Sequence, residues 1–345
     1  MNIKKNNALD WLRCGALALI IYDHLVGFRM PEWTPVVWMD HIFMKPLELI
    51  QYGGALGVSI FFVISGYLLA LGVDSGKYTL NKLPKKILQL YIPMIMSYCS
   101  FYLLQKGLSA IKYEHYFSQF TNKDWLMGGS LIGYFTERGD VINGTTWYLV
   151  PTFIAYGVVF AFSRLLKKSF MQGFISMELT LGITMIFGRW NGSFLFYKLF
   201  SYNWYIFILL FGIIIYYFDQ NKLTLKQFGV VAILNYICLI LGIYLYMPAY
   251  VLEENCVVSV AYAILLLFVA LNINLKYNLK EIKCIRSLSD ISYYIYLVHM
   301  PYGSLLLSML EGHVYLPVAI CVVLVSILVI AIFHKKICSR VLCIY

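Results

Sequence analysis

Runs of about twenty apolar residues, the length a helix needs to cross a hydrocarbon core, recur from end to end of this 345-residue chain. They fall at roughly 9–28, 50–72, 87–105, 147–165, 173–188, 194–218, 229–247, 256–274, 289–310 and 314–333. Inside a bilayer the backbone has no water to bond, so each run must satisfy its own N–H and C=O groups as a helix. Composition points the same way: 61% of residues are hydrophobic and only 13% charged, a balance that suits a polytopic membrane protein and would make a soluble domain aggregate. The expected fold is therefore all-α, with about ten transmembrane helices forming a single domain over residues 1–345. Two of the runs carry internal charges, Glu178 in the fifth and Lys198 near the start of the sixth.

Charge placement gives an independent check on the count. With the N-terminus cytoplasmic, alternate connections hold Lys4 and Lys5, then Lys77, Lys82, Lys85 and Lys86, then Arg164, Lys167 and Lys168. Lys222 and Lys226 follow, then Lys276, Lys280, Lys283 and Arg286, then Lys335, Lys336 and Arg340, making 18 of the 27 basic residues. The opposite connections hold eight: Arg29, Lys45, Lys106, Lys112, Lys123, Arg138, Arg189 and Lys198. This asymmetry fits the positive-inside rule and predicts an even number of spans with both termini cytoplasmic. The net charge of +10 is then a sign of topology. Nucleic acid is not an expected partner, because no basic run is interleaved with aromatics as a strand-binding groove requires. Run 9–28 reads as a first span and not as a cleaved leader, since it contains Arg13 and lacks a small-residue cleavage site after it. Eight cysteines with no C-x-x-C pair suggest neither zinc nor a disulfide framework, and no metal site is expected. The one long connection, an outer loop at 106–146, is a candidate cover for a site or a solvated crossover. Asn143-Gly-Thr and Asn191-Gly-Ser match the glycosylation sequon and map to outer loops.

The first span, LDWLRCGALALIIYDHLVGF, holds the main functional signal. A central arginine costs roughly 2.5–3.5 kcal/mol on insertion scales, yet Arg13 and His24 both lie in it. Eleven residues are about three turns, so the two project from one face about 16 Å apart along the axis, and Asp10 lies a turn before Arg13. A carboxylate, a guanidinium and an imidazole on one stripe suit a polar cavity where a base and a charge clamp cooperate. The structural alternative is that Asp10 and Arg13 mark the membrane edge and His24 caps the other end.

Four further stretches accompany this stripe: GVSIFFVISGYLLA at 57–70, LNKLPKKILQLYIP at 80–93, TTWYLVPTFIAY at 145–156 and SLSDISYYIYLVHMP at 287–301. In this order, from Asp10 to about Pro301, the chain resembles the acyltransferase-3 family of integral membrane enzymes. The resemblance implies transfer of an acyl group, usually acetyl, from cytoplasmic acyl-CoA to a hydroxyl of an extracytoplasmic polysaccharide or glycolipid. It also implies a multi-pass protein of the cell membrane, embedded in lipid, with acetyl-CoA as donor substrate and no bound cofactor. On this resemblance Asp10, Arg13 and His24 are catalytic, with His24 as base or acyl relay and Arg13 clamping the donor. Lys82, Lys85 and Lys86 stand where the family carries an arginine-rich motif, so they would draw the phosphates of CoA as point charges, without bidentate geometry. The alternative for these lysines is membrane anchoring.

Gln89 and Thr152 depart from the family pattern, which tends to have arginine and glutamate there. Ser65, Tyr67, Trp147, Tyr296 and His299 are the candidate cavity or substrate residues. Ser65-Gly66 permits close helix approach, and His299 falls mid-span behind Tyr293, Tyr294 and Tyr296. The rival function is a polysaccharide exporter or a proton-coupled transporter using the same stripe. Against it, no Gly/Pro-broken spans recur in two matching halves.

Overall fold

The computed structural model describes residues 7–110, 120–136, 142–246, 256–277 and 279–341, and every regular element among them is helical. The long helices are α1 (Asn7–Tyr22), α3 (Gly54–Asp74), α4 (Leu83–Ala110), α6 (Leu149–Lys168), α7 (Phe170–Trp190), α9 (Asn203–Asp219), α10 (Leu225–Tyr246), α11 (Cys256–Tyr277), α12 (Lys283–Leu310) and α13 (Leu316–Val341). Shorter ones are α2 (Thr34–Met39), α5 (Asn122–Gly129) and α8 (Phe194–Ser201). Eight helical stretches among the described residues are long and apolar enough to cross a membrane: 51–74, 80–108, 144–168, 170–190, 194–219, 225–246, 256–274 and 316–341. The other two expected spans coincide with α1 and α12, which are helical but carry the charged and polar residues that lower their hydropathy. The expected sixth span is interrupted at Tyr202, which separates α8 from α9. Part of the expected loop at 106–146 is ordered helix: α4 runs on to Ala110, and α5 opens with a Thr121–Asp124 capping box. Residues 111–119 and 137–141 of that loop lie outside the described residues.

The described residues group into two compact units, one drawn from Met1–Pro84 and Pro151–Ser289, the other from Lys85–Val150 and Asp290–Tyr345. In the first unit α3 is the central helix, packed against α1, α9 and α11. Its crossing with α9 is set by two glycines. A Cβ on Gly66 would fall 1.8 Å from the Leu209 carbonyl oxygen, and one on Gly212 would fall 1.9 Å from that of Val63. Small residues let helices associate by close van der Waals contact where lipid offers no hydrophobic drive, so the expected packing role of the Ser65-Gly66 pair holds at Gly66. Helix α9, apolar all round, is buried along most of its length. Polar side chains link it to its neighbours: Asn235 of α10 donates to the Phe207 carbonyl at 2.8 Å, and Asn203 donates to the Leu181 carbonyl of α7 at 3.0 Å. Outward faces are apolar at helical spacing, as in Leu179, Ile183 and Phe187 of α7 and Val230, Ile233 and Ile237 of α10. Such a surface faces lipid.

The second unit is organised by a proline. Pro301 lies inside α12 and has no N–H, so the carbonyl four residues back, that of Leu297, loses its intrahelical donor. Two side chains replace it: Asn143 Nδ2 donates at 3.0 Å and Ser97 Oγ of α4 at 3.3 Å. Asn143 is 2% exposed and also accepts from Thr145 Oγ1 at 2.6 Å. The sequon at 143–145 is therefore no surface acceptor; its amide nitrogen is bonded inside the unit. Tyr293 donates to the Leu90 carbonyl at 2.7 Å, and Tyr302 donates to Ser100, which also meets His334 Nε2 at 3.0 Å.

Two stability outcomes follow, both read as melting temperature in detergent. Gly66→Ala or Gly212→Ala should destabilise by at least the roughly 1–3 kcal/mol of an overpacked core, whereas Gly182→Ala, with nothing within 4 Å of its Cβ, should be neutral. Asn143→Ala should cost about 1–3 kcal/mol by leaving the Leu297 carbonyl under-satisfied. Pro301→Ala in the Asn143→Ala background should recover part of that loss by restoring an N–H to the same carbonyl.

Candidate functional site

Helix α1 has charged groups at both ends. At its start Asp10, 5% exposed, receives a hydrogen bond from Ser289 Oγ at 2.7 Å and from Arg286 Nη1 at 3.3 Å, while Arg13 Nη1 lies 3.9 Å away. Asp10 and Arg13 lie near each other, but the tighter partners of Asp10 come from the first turns of α12. Asp10 thus lies between two guanidiniums, and both arginine side chains keep partial solvent access, at 27% and 36% exposure. Anions are attracted to such a cluster.

At the far end α1 widens into a π-helical turn over Asp23–Gly27, closed by the Phe28 N–H on the Asp23 carbonyl at 3.0 Å. Turns of this kind recur at functional sites. His24 lies in it with its side chain 26% exposed, and its Nε2 is 3.6 Å from Asp23 Oδ2. Asp23 itself is 3% exposed, and its Oδ1 has no hydrogen-bond partner. The carboxylate fits only because residue 54 is glycine: a Cβ there would fall 2.1 Å from Asp23 Oδ2. Tyr52 lies over Gly27 in the same way, its ring 2.5 Å from where a Cβ would be. The segment that presents Tyr52 is strained, with positive φ at Glu48 (51°), Gln51 (51°) and Tyr52 (46°). Strain held against this cost clusters at functional sites. Helix α3 runs antiparallel to α1, since Gly54 meets Asp23 while Gly57 meets Ala16 and Ile20.

The remaining expected residues distribute as follows. Tyr67 is buried in the first unit, and its hydroxyl donates to Asp219 Oδ2 at 2.8 Å. Ser65 is half-buried beside it. Lys82 closes a short turn before α4 and is exposed, as is Lys85; Lys86 and Gln89 are half-buried on the first turns of α4. Thr152 is buried in α6.

In the second unit Trp147, Tyr296 and His299 come together through Tyr148. Ring centroids run 6.4 Å from Trp147 to Tyr148, 5.8 Å from Tyr148 to Tyr296 and 5.6 Å from Tyr296 to His299. The Tyr296 hydroxyl donates to the Thr145 carbonyl. His299 is fully buried, with Nδ1 2.7 Å from the Tyr296 carbonyl oxygen. A carbonyl only accepts, so this bond puts a proton on Nδ1.

Asp23, Arg286 and Ser289 were not among the residues expected from sequence. Asp23 carried a signal of its own, an acid directly before the histidine in an otherwise apolar stretch. Arg286 and Ser289 carried none, because a basic residue before a span reads as ordinary anchoring.

Among curated protein sequences and solved structures, none matches the chain. The profile of the Acyl_transf_3 family, described as an acyltransferase domain, matches residues 6–335. That match takes in α1 with its charged ends, both glycines of the α3–α9 crossing and the whole of α12. The chain belongs to the acyltransferase-3 family and is a multi-pass membrane acyltransferase.

Proposed function

We propose that this protein transfers an acyl group, acetyl in the first instance, from cytoplasmic acyl-CoA to a hydroxyl of an extracytoplasmic polysaccharide or glycolipid. Ten spans, counting α1 and α12, would place it in the cell membrane with both termini cytoplasmic. The observation that carries the reading is the charge arrangement of α1 in a chain of this family: a guanidinium cluster at one end and a carboxylate-flanked imidazole at the other.

Arg13 and Arg286, sharing Asp10, suit the donor's phosphates; the family resemblance assigns Lys82, Lys85 and Lys86 to the donor as point charges. The acceptor oxygen attacks the thioester carbonyl; a C–O bond forms, the C–S bond breaks and the hydroxyl proton passes to His24 and from there to the departing thiolate. Asp23 stabilises the imidazolium formed on the way, as a buried carboxylate does beside a catalytic histidine. The same carboxylate would support a cationic acyl-imidazole if His24 carries the acyl group itself. Trp147, Tyr296 and His299 in the second unit, and separately Ser65 and Tyr67 in the first, are the candidate cavity or substrate residues. An aromatic row suits a sugar ring, whose C–H faces stack on indole and phenol.

Acetyl-CoA turnover by purified protein in nanodiscs tests the reading. His24→Ala should reduce turnover by at least about 10²-fold, the lower end of general-base contributions, and Arg13→Ala should abolish it, with melting temperatures showing both variants folded. Wild type that neither binds nor consumes acetyl-CoA or any other acyl-CoA would remove the assignment. Turnover should fall as the medium is acidified, because a protonated imidazole cannot accept the proton. Asp23→Asn should lower kcat by roughly ten-fold or more while leaving KM for acetyl-CoA nearly unchanged. Arg286→Gln should do the reverse, raising KM with a smaller effect on kcat.

A further inference from the structure

The first unit holds a second basic site, built where α3 and α9 end, that shares no residue with the Asp10–Arg13–Arg286 cluster. Helix α9 ends in a Schellman motif: the Lys222 N–H bonds the Tyr217 carbonyl and the Asn221 N–H bonds that of Phe218, both at 2.9 Å, with Asn221 at φ 55°. This turn folds Lys222 back so that its ammonium lies 5.8 Å from the centre of the Tyr217 ring and pairs with Asp74, the last residue of α3. Just beyond Asp74 the chain turns through Gly76 at φ 74°, and Lys167 Nζ lies 3.5 Å from where a Cβ on Gly76 would be. Between these groups is a cavity of about 390 Å³ lined by Asp74, Leu166, Lys167, Phe170, Tyr217 and Lys222.

The free hydrogen-bonding capacity of this cavity is one-sided. Both Asp74 oxygens are engaged, Oδ1 by Lys222 and Oδ2 by the Tyr216 hydroxyl at 2.9 Å. What remains are donors. Among the described residues no carboxylate lies within ion-pair distance of Lys167. Tyr217, 3% exposed, has a hydroxyl sealed from solvent with no hydrogen-bond partner, an arrangement that costs about 1–3 kcal/mol if nothing compensates. Leu166, Phe170 and the Tyr217 ring, all buried, give the cavity an apolar wall. Two ammonium groups and an apolar wall at the ends of membrane helices suit a phosphate carried on an acyl-bearing molecule. Basic pockets between helices at the cytoplasmic face take lipid headgroups for this reason.

We propose that this cavity binds the phosphate of an anionic phospholipid, with Lys167 and Lys222 as its partners and Asp74 holding Lys222 in place. The inference is independent of the acyl-transfer reading, since it requires no turnover. A soluble phosphate ester would offer the same chemistry without the chains, so the experiment separates the two sources.

Full-length protein in neutral detergent is titrated with phosphatidylglycerol, phosphatidylcholine or glycerol 3-phosphate, following melting temperature, and native mass spectrometry counts the retained lipid. Phosphatidylglycerol should raise the melting temperature by a few degrees in a saturable way, with one molecule retained, and the other two should not. Lys167→Gln with Lys222→Gln should weaken the apparent affinity at least five-fold, whereas Lys276→Gln, an exposed lysine outside the cavity, should not change it. Lys167→Gln alone, at an exposed position, provides the same comparison if the double variant does not fold. An equal response in wild type and cavity variants would assign the effect to general surface charge and overturn the proposal. Equal protection by glycerol 3-phosphate would overturn the lipid in favour of a soluble phosphate ester.

Discussion

A carbonyl that loses its helical donor inside a membrane has no water to turn to, and much of this structure follows from how such groups find partners. Pro301 frees the Leu297 carbonyl, and the bonds from Asn143 and Ser97 that replace the missing N–H draw α4 and the turn before α6 onto α12. The same need operates in the first unit, where Asn235 and Asn203 bond carbonyls of neighbouring helices. Each such bond contributes only about 0.6 kcal/mol on average in membrane proteins. Their effect lies in specificity: an amide in hydrocarbon has few acceptable positions, so it fixes the register of one helix against the next. Close approach at Gly66 and Gly212 supplies the packing that these bonds orient.

The charges of α1 are handled by the same rule. Asp10 is nearly buried and is compensated by Arg286 and Ser289 as well as by Arg13. Asp23 is equally buried; among the described residues the His24 imidazole lies near one oxygen and no hydrogen bond reaches the other. The first arrangement is a satisfied anchor. The second is an unsatisfied carboxylate beside an imidazole, and it gains most when that imidazole becomes cationic. Under the proposed transfer, a proton passing to His24 would supply the charge that the resting site lacks beside Asp23.

The helical class and the span positions were legible in the sequence because hydropathy over twenty residues leaves a chain in lipid few alternatives. The break at Tyr202 was not, since aromatic and apolar residues continue through it without a glycine or proline. The glycine crossing was legible at Ser65-Gly66, but its partner Gly212 was not, because a lone glycine in an apolar helix does not name its neighbour. Local spacing gave Asp10, Arg13 and His24. The partners Arg286 and Ser289 come from a helix more than 270 residues further along, and no local pattern links positions that far apart. Asn143 was misleading: its sequon suggested an exposed loop, and only the proline at 301 explains why an amide is needed inside the unit.

The two helices that carry most of the candidate chemistry, α1 and α12, are also the two long helices that are not among the stretches both long and apolar enough to cross a membrane. A central arginine or aspartate costs roughly 2.5–3.5 kcal/mol on insertion scales; α1 carries Asp10 and Arg13, and the turn that continues it carries Asp23. Such a helix is stable in a membrane only with partners already in place, and Asp10 finds two of its partners on the first turns of α12. The stability of α1 in the bilayer and the positioning of its reactive groups are therefore one problem. A substitution at Arg286 or Ser289 would disturb both together, which is why activity measurements on α1 and α12 need a folding measurement beside them.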